Sequence, residues 1–269
     1  MRNGIEKVRI FRRSHAMVLT AIALSFFASN SGSVSLPALI DKPLADYYNQ
    51  ALQANKNGEY QRAMAMLKLL LIPENTPVYP DYSSLPANVR QEFHQGVLRG
   101  FQMWRDVLGE EFPFILDVNN PDAPVRIVFV SAISGESPAC KGEIRVVRKI
   151  QWNSKVHYVD FSAKISLAMH SRGNQWMTSG ELAHILAHEF GHALGLGHPQ
   201  GVGTIMGPVV IGNPTRQISN AELATVVHFR NLVRQDISQI QNASTQKSQP
   251  VKVNTYTFHS CSDTPHNCQ

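Results

Sequence analysis

The sequence predicts an α+β fold, and three observations carry that reading. The stretch from about Ala87 to Leu108 is amphipathic at helical spacing and carries Trp104. Short runs rich in β-branched residues, such as Val125–Val130 (VRIVFV), have the length and composition of strands. Two later stretches, Thr178-Ser-Gly-Glu181 and Ser219-Asn-Ala-Glu222, are capping boxes, which mark helix N-termini. A chain of 269 residues has room for one sizeable domain with extensions.

In chain order, the first 35 residues differ in kind from the rest. Arg2, Lys7, Arg9, Arg12 and Arg13 form a basic start, Ala16–Ala28 is uncharged and apolar, and small residues follow. This is the layout of a secretory signal peptide, with cleavage expected between Ala28 and Leu36. As a helix its apolar part would rise only about 20 Å, short for a membrane span. An uncleaved anchor is the alternative. The formal charge of the whole chain is +5, but the leader holds five basic residues and one acidic one, so the remainder is near +1. The basicity therefore carries no argument for nucleic-acid binding.

Leu44 to Ile72 reads as a helical hairpin turning at Gly58. Tyr47, Ala51, Gly58, Tyr60 and Ala63 match one tetratricopeptide-type unit. A single unit cannot bury its own face, so it is expected to pack on the following domain, as a pro-segment, a docking hairpin or an extension offering a surface for protein contact. Pro73 to Pro86 reads as a linker. Strands are expected at about Phe112–Val118, Val125–Val130, Glu143–Trp152 and His157–His170, the last broken near Ser162. One helix runs from the first capping box to about Leu194, and another from the second to about Ile240. The Gln/Ser/Thr-rich tail beyond, residues 241–269, is expected to be mobile. Cys140, Cys261 and Cys268 are the cysteines. In an oxidising compartment Cys261 and Cys268 could close a small loop.

The chemistry lies in HEFGHALGLGH, His188 to His198. His188 and His192 are four apart, so on a helix their imidazoles leave one face and reach one ion. Glu189 stands about 100° round from the first of them, beside such an ion rather than on it. Gly195 can take the left-handed conformation that ends a helix, which returns His198 to the same point. Three neutral imidazoles leave a coordination position for water, as in a catalytic rather than a structural zinc site. Met206 follows in GTIMGP, completing the metzincin pattern of extended histidine motif and methionine turn.

HEFGHALGLGH followed by IMGP resembles the matrixin branch of the metzincins, the matrix metalloproteinase type. The resemblance extends loosely from about Tyr79 to Ile240, through the helix, strand, strand order after Val89 and the ISNAEL start of a last helix. It implies a zincin-like catalytic domain at residues 79–240: a mixed twisted sheet, a long N-terminal helix, the zinc-binding helix and a C-terminal helix, preceded here by the hairpin at residues 36–78. It implies one zinc ion held by His188, His192 and His198, Glu189 as general base and Met206 as an apolar floor. The reaction implied is hydrolysis of peptide bonds in a protein or peptide bound extended along an edge strand, for which Lys164–His170 is the candidate. Pro208–Pro214 (PVVIGNP) would form an uncharged wall for the side chain after the scissile bond. The implied setting is secreted or periplasmic, with no nucleic-acid partner and no stable membrane insertion after leader removal.

The chain departs from the family pattern in places. His157, Asp160 and His170 lack the spacing for a second zinc, and calcium is equally unsupported. The propeptide thiol motif is missing from residues 1–139, since no cysteine precedes Cys140. Pro208 occupies the position where some metzincins have tyrosine. His184, one turn before His188, reads as a solvated or half-buried helix residue, with a supporting or gating group near the cleft as the alternative. The competing functional reading is a metzincin scaffold that binds a protein partner with little proteolysis. The intact Glu189 argues against it.

Overall fold

The computed structural model describes residues 36–133, 140–152, 157–198 and 203–244, which fall within one unit, Leu36–Gln269. The expected leader, the tail from residue 245 and Cys261 and Cys268 lie outside the described residues.

The hairpin forms as expected. Helix α1 (Lys42–Lys56) starts with a proline in its first turn, and the chain reverses at Gly58, whose φ of +79° suits glycine. Helix α2 (Tyr60–Leu69) follows. α1 buries a stripe, Leu44, Tyr47, Tyr48, Ala51 and Ala54, whereas α2 is buried nearly all round. A helix apolar on every side needs covering on every side. α1 covers one flank of α2, and the others meet the last helix, α5 (Asn220–Ser244), and the sheet. Ile150, Phe229, Val233 and Ile240 share this second core with the hairpin. Within it the Tyr48 hydroxyl donates to Asp236 Oδ2 at 2.6 Å.

The stretch read as a linker contains a strand, β1 (Thr76–Asp81), whose TPVYPD sequence argues against an inner position. Geometry resolves the conflict. Thr76 N–H donates to Pro113 O and Asp117 N–H to Val78 O, so even-numbered residues of β1 turn their backbone toward β2 (Phe114–Leu116). That strand ends opposite Val78, before Pro80 would have to donate. Odd-numbered residues turn toward β3 (Val125–Val130), where pairing begins at Val78, after Pro77. Each proline sits where no neighbouring strand needs its missing N–H.

β4 (Gly142–Trp152) and β5 (His157–Ala168) complete a sheet of order β2–β1–β3–β5–β4, with β4 alone antiparallel. The expected mixed sheet is therefore present. Two expectations about β5 are corrected. It runs unbroken past Ser162, and it is not the edge strand: Lys164 pairs with Arg126 of β3 on one side and Arg145 of β4 on the other. β4, folded back antiparallel, takes the edge.

Helices α3 (Arg90–Leu108) and α4 (Ser179–Ala193) lie on one face of the sheet over the main core. They approach closely because Gly96 and Gly100 of α3 face α4. A Cβ on Gly96 would lie 2.6 Å from Leu182 Cβ, and one on Gly100 would lie 2.8 Å from Ala183 O. Trp104, fully buried, donates its indole N–H to Ala187 O at 2.7 Å, the residue before His188.

Candidate metal centre

The site is built on α4. Thr178 and Glu181 make the expected reciprocal capping box, and Glu92 of α3 accepts the Ser179 N–H at 2.6 Å, bringing negative charge to the positive helix end. That hydrogen bond holds the Glu92 carboxyl below its ordinary range. At the other end Gly195, at φ +102°, closes the helix as expected. Its N–H donates to His192 O, and Leu196 N–H donates to Gly191 O, the paired bonds of a Schellman turn.

This turn brings His198 back to His188 and His192. The ligand atoms of the three histidines all lie within 4.8 Å of one another. His192 Nε2 is 3.0 Å and His198 Nε2 is 3.1 Å from His188 Nε2. These contacts are not hydrogen bonds between rings. His188 Nδ1 is 2.8 Å from Ile205 O and His192 Nδ1 is 2.8 Å from Leu196 O. Each carbonyl can only accept, so each Nδ1 carries the proton and each Nε2 keeps a lone pair. Lone pairs that close would repel unless they share an electrophile. Burial, then the neighbouring imidazoles, holds His188 well below the ordinary histidine pKa; the same causes bring His192 to about 4, and burial lowers His198. All are neutral near pH 7. A tetrahedral zinc with bonds of about 2.0–2.1 Å needs nitrogens roughly 3.3–3.4 Å apart. The spacing and tautomers fit that ion.

Glu189 is 3% exposed and faces the sheet edge: a Cβ built on Gly142 of β4 would overlap Glu189 Oε1. Met206, 1% exposed, sets its Sδ against Gly191, between the two helical histidines, where even a methyl group would collide with it. Cys140 is buried two residues from Gly142, its Sγ 3.1 Å from Gly142 O. His170 stacks on Trp176, with centroids 4.4 Å apart, and is not one of the clustered histidines.

What sequence reasoning missed is the set of groups that fix the segment after the metal turn. Glu222, fully buried, accepts from Met206 N–H at 2.8 Å and from Ser219 N–H at 2.7 Å. Glu181 accepts from Gly212 N–H at 3.0 Å besides capping α4. His184 is buried rather than half-solvated. It accepts the Thr215 N–H on Nδ1 at 3.0 Å, so its Nε2 carries the proton toward Gly207 O, 3.3 Å away. The Pro208–Pro214 loop is thus pinned to α4 and α5 at both ends. The two capping-box glutamates were visible in sequence as helix starts, but each has a second oxygen, and only the fold shows where it goes.

Comparison with known proteins agrees with this geometry. A matrixin (peptidase M10) family profile matches residues 80–229, more than half of the chain. A stretch of 156 residues is 28% identical to the hatching enzyme of Paracentrotus lividus, covering 56% of this chain and 25% of that protein. A stretch of 155 residues is 26% identical to interstitial collagenase of Bos taurus, covering 56% of this chain and 31% of that protein. The match thus spans between a quarter and a third of the length of these relatives. A helix carrying two converging imidazoles, a glycine turn returning a third, a methionine beneath them and a profile match over residues 80–229 together place the chain in the matrixin family.

Proposed function

We propose that this chain is a secreted, zinc-dependent endopeptidase in which His188, His192 and His198 hold a single catalytic zinc and Glu189 is the general base. The observation that carries the reading is the convergence of three imidazole Nε2 atoms whose δ nitrogens, at His188 and His192, are committed to backbone carbonyls. Bound there, zinc supplies Lewis acidity, which brings the pKa of a water toward about 7 and polarises a carbonyl.

The chain's own residues then do the following. Glu189, held against Gly142, accepts the proton of the attacking water at its carboxylate and passes it to the departing amide nitrogen. One C–N bond breaks, one C–O bond forms, and no covalent enzyme intermediate arises. Substrate lies extended along β4. Lys141 accepts from Ala168 N–H and so turns its backbone toward β5; by the ladder's alternation Gly142 and Ile144 turn theirs outward. An added strand can pair with these groups and take its register from them. The Pro208–Pro214 wall exposes Val210, 49% accessible, and no charged side chain, which supports an apolar preference just after the scissile bond. Residues 1–35 support export by a cleaved leader. Among the described residues no helix is long and apolar enough to cross a membrane.

A peptide-library digest by the mature chain, with and without a chelator, tests this reading. Chelator-sensitive internal cleavage is expected. Glu189→Ala should retain zinc and lose cleavage by several orders of magnitude. Stoichiometric zinc without cleavage of any peptide would instead favour the protein-binding scaffold.

A further inference from the structure

We infer that the N-terminal segment Leu36–Asp41 and the hairpin behind it are a permanent part of the metal centre, holding the turn that carries His198, and not a pro-segment released on activation. This rests on the zinc-site reading above.

The turn between His192 and His198 is short and glycine-rich, and its third ligand is the exposed member of the triad. What fixes its backbone comes from the other end of the chain. Asp41 N–H donates to Gly195 O at 2.9 Å, and Gly197 N–H donates to Leu39 O at 2.8 Å. Ile40 and Leu196 form an antiparallel bridge between them, with Ile40 buried to 8%. The fit is tight. A Cβ on Gly197 would lie 3.2 Å from Asp41 Cα, and one on Gly195 would lie 3.2 Å from Leu44 Cδ2 of α1. Gly195 is needed for the left-handed φ of the turn, and Gly197 lies where a Cβ would crowd the Asp41 backbone. Without the segment, Gly195 O and Gly197 N–H lose these partners, three residues and one residue before His198.

A second tie runs through Arg148 of β4. Its guanidinium is buried, donating to Leu69 O at 2.9 Å and Ala193 O at 2.8 Å, with Phe161 beneath it. Those carbonyls close the C-terminal ends of α2 and α4. One cation thus bridges the negative ends of the hairpin's second helix and of the zinc helix, where it replaces water for both. Burial lowers its pKa only to about 10, so it stays charged. Removing the hairpin would leave that charge with half its partners and uncover Ile150, Phe229 and Val233.

The experiment uses the full mature chain and reads zinc affinity by competition with a chromophoric chelator. Asp41 has φ −57°, which proline adopts, so Asp41→Pro deletes the donor to Gly195 O and sets the ring Cδ against that oxygen, which breaks the tie. Its zinc affinity should fall by at least about three- to tenfold, the worth of the one hydrogen bond lost. Asp41→Ala, which restores the N–H, should return it to the wild-type value. Equal affinity in Asp41→Pro and wild type overturns the inference. Should Asp41→Pro not fold, a chain with a site-specific protease sequence inserted between Ile72 and Asn75 decides the matter. After nicking, the hairpin fragment should co-elute with the rest, and zinc and fragment should be lost together in urea. A hairpin-free body that keeps zinc at wild-type affinity and cleaves peptide at the wild-type rate refutes it. A wild-type chain that binds no zinc fails the functional reading itself, a different result from a wild-type chain that binds zinc no better than Asp41→Pro.

Discussion

Replacing Gly142 by alanine tests whether the Glu189 carboxylate is positioned by the edge strand. A Cβ at this position would overlap Glu189 Oε1 and lie 2.5 Å from Ile185 Cγ2. Ordinary carbon contacts lie at about 3.5–4.0 Å, so each neighbour must give by about 1 Å. Ile185 is packed in the core and resists, at a cost of about 1–3 kcal/mol in stability, or several degrees in melting temperature. The carboxylate is the end of a flexible side chain and moves instead of unfolding the helix. A displacement of that size at a reacting group costs about 100-fold in rate, roughly 2.7 kcal/mol in the barrier. The outward backbone of β4 is untouched, so KM should change little, and the three imidazoles keep their carbonyls, so zinc should bind as before. Steady-state kinetics on a fluorogenic peptide, alongside zinc titration, reads these quantities separately. A folded Gly142→Ala enzyme with unchanged kcat would refute the reasoning, and so would one that lost zinc in proportion to its rate.

Four further outcomes follow from the same structure. Trp104→Phe keeps the aromatic bulk but removes the donor to Ala187 O, and thermal unfolding should show a loss of about 1–2 kcal/mol. Glu222→Gln cannot accept from both Met206 N–H and Ser219 N–H, so a stability loss of about 2–4 kcal/mol with weaker discrimination at the residue after the scissile bond is expected from denaturation and cleavage profiling. Lys164 lies directly between Arg126 and Arg145 across three strands; Lys164→Glu should relieve that row by about 0.5 kcal/mol and raise the melting temperature about 1–2 °C at low salt. The metal-free protein should lose stability as pH falls from about 6.5 toward 4. His184, His188, His192 and His198 all have depressed pKa values, so in that window the unfolded chain binds protons that the folded one excludes. Urea midpoints measured across pH would show it, and a flat profile would contradict it.

The convergence of His188, His192 and His198 was legible because their chemistry and their spacing are the same fact. Imidazoles four apart on a helix must share a face, and Gly195 needs only a left-handed φ to deliver His198. The hairpin was legible for a similar reason, since its apolar stripe and Gly58 are local signals. β1 was not. Two prolines in six residues weigh against a strand unless one knows where the neighbouring strands begin and end, and that is a property of β2 and β3 rather than of TPVYPD. The edge strand was misassigned for a related reason. Alternation in Lys164–His170 reports which face is buried, not how many neighbours the backbone has, and β4 takes the edge only because it folds back antiparallel on β5.

The same limit explains why the anchors of the Pro208–Pro214 loop went unseen. A glutamate three residues after a serine or threonine satisfies the helix rule with one oxygen, and sequence says nothing about the other. In this chain the second oxygens of Glu181 and Glu222 reach Gly212 and Met206, so two helix starts also set the floor and the wall of the cleft. His184 does the same work from the middle of α4, held neutral by burial, with the Thr215 amide on one ring nitrogen and the Gly207 carbonyl facing the other. One helix thus carries both sets in succession: Glu181 and His184 bond the loop in its first turns, and His188, Glu189 and His192 lie at the metal turn and the sheet edge in its last turns. A substitution that loosens the loop therefore pulls on the helix that carries the ligands, and its effect on substrate preference should come with a change in zinc affinity. Measuring both in His184→Gln separates a coupled helix from two independent devices, because independent devices would shift preference and leave the metal as tightly held as before.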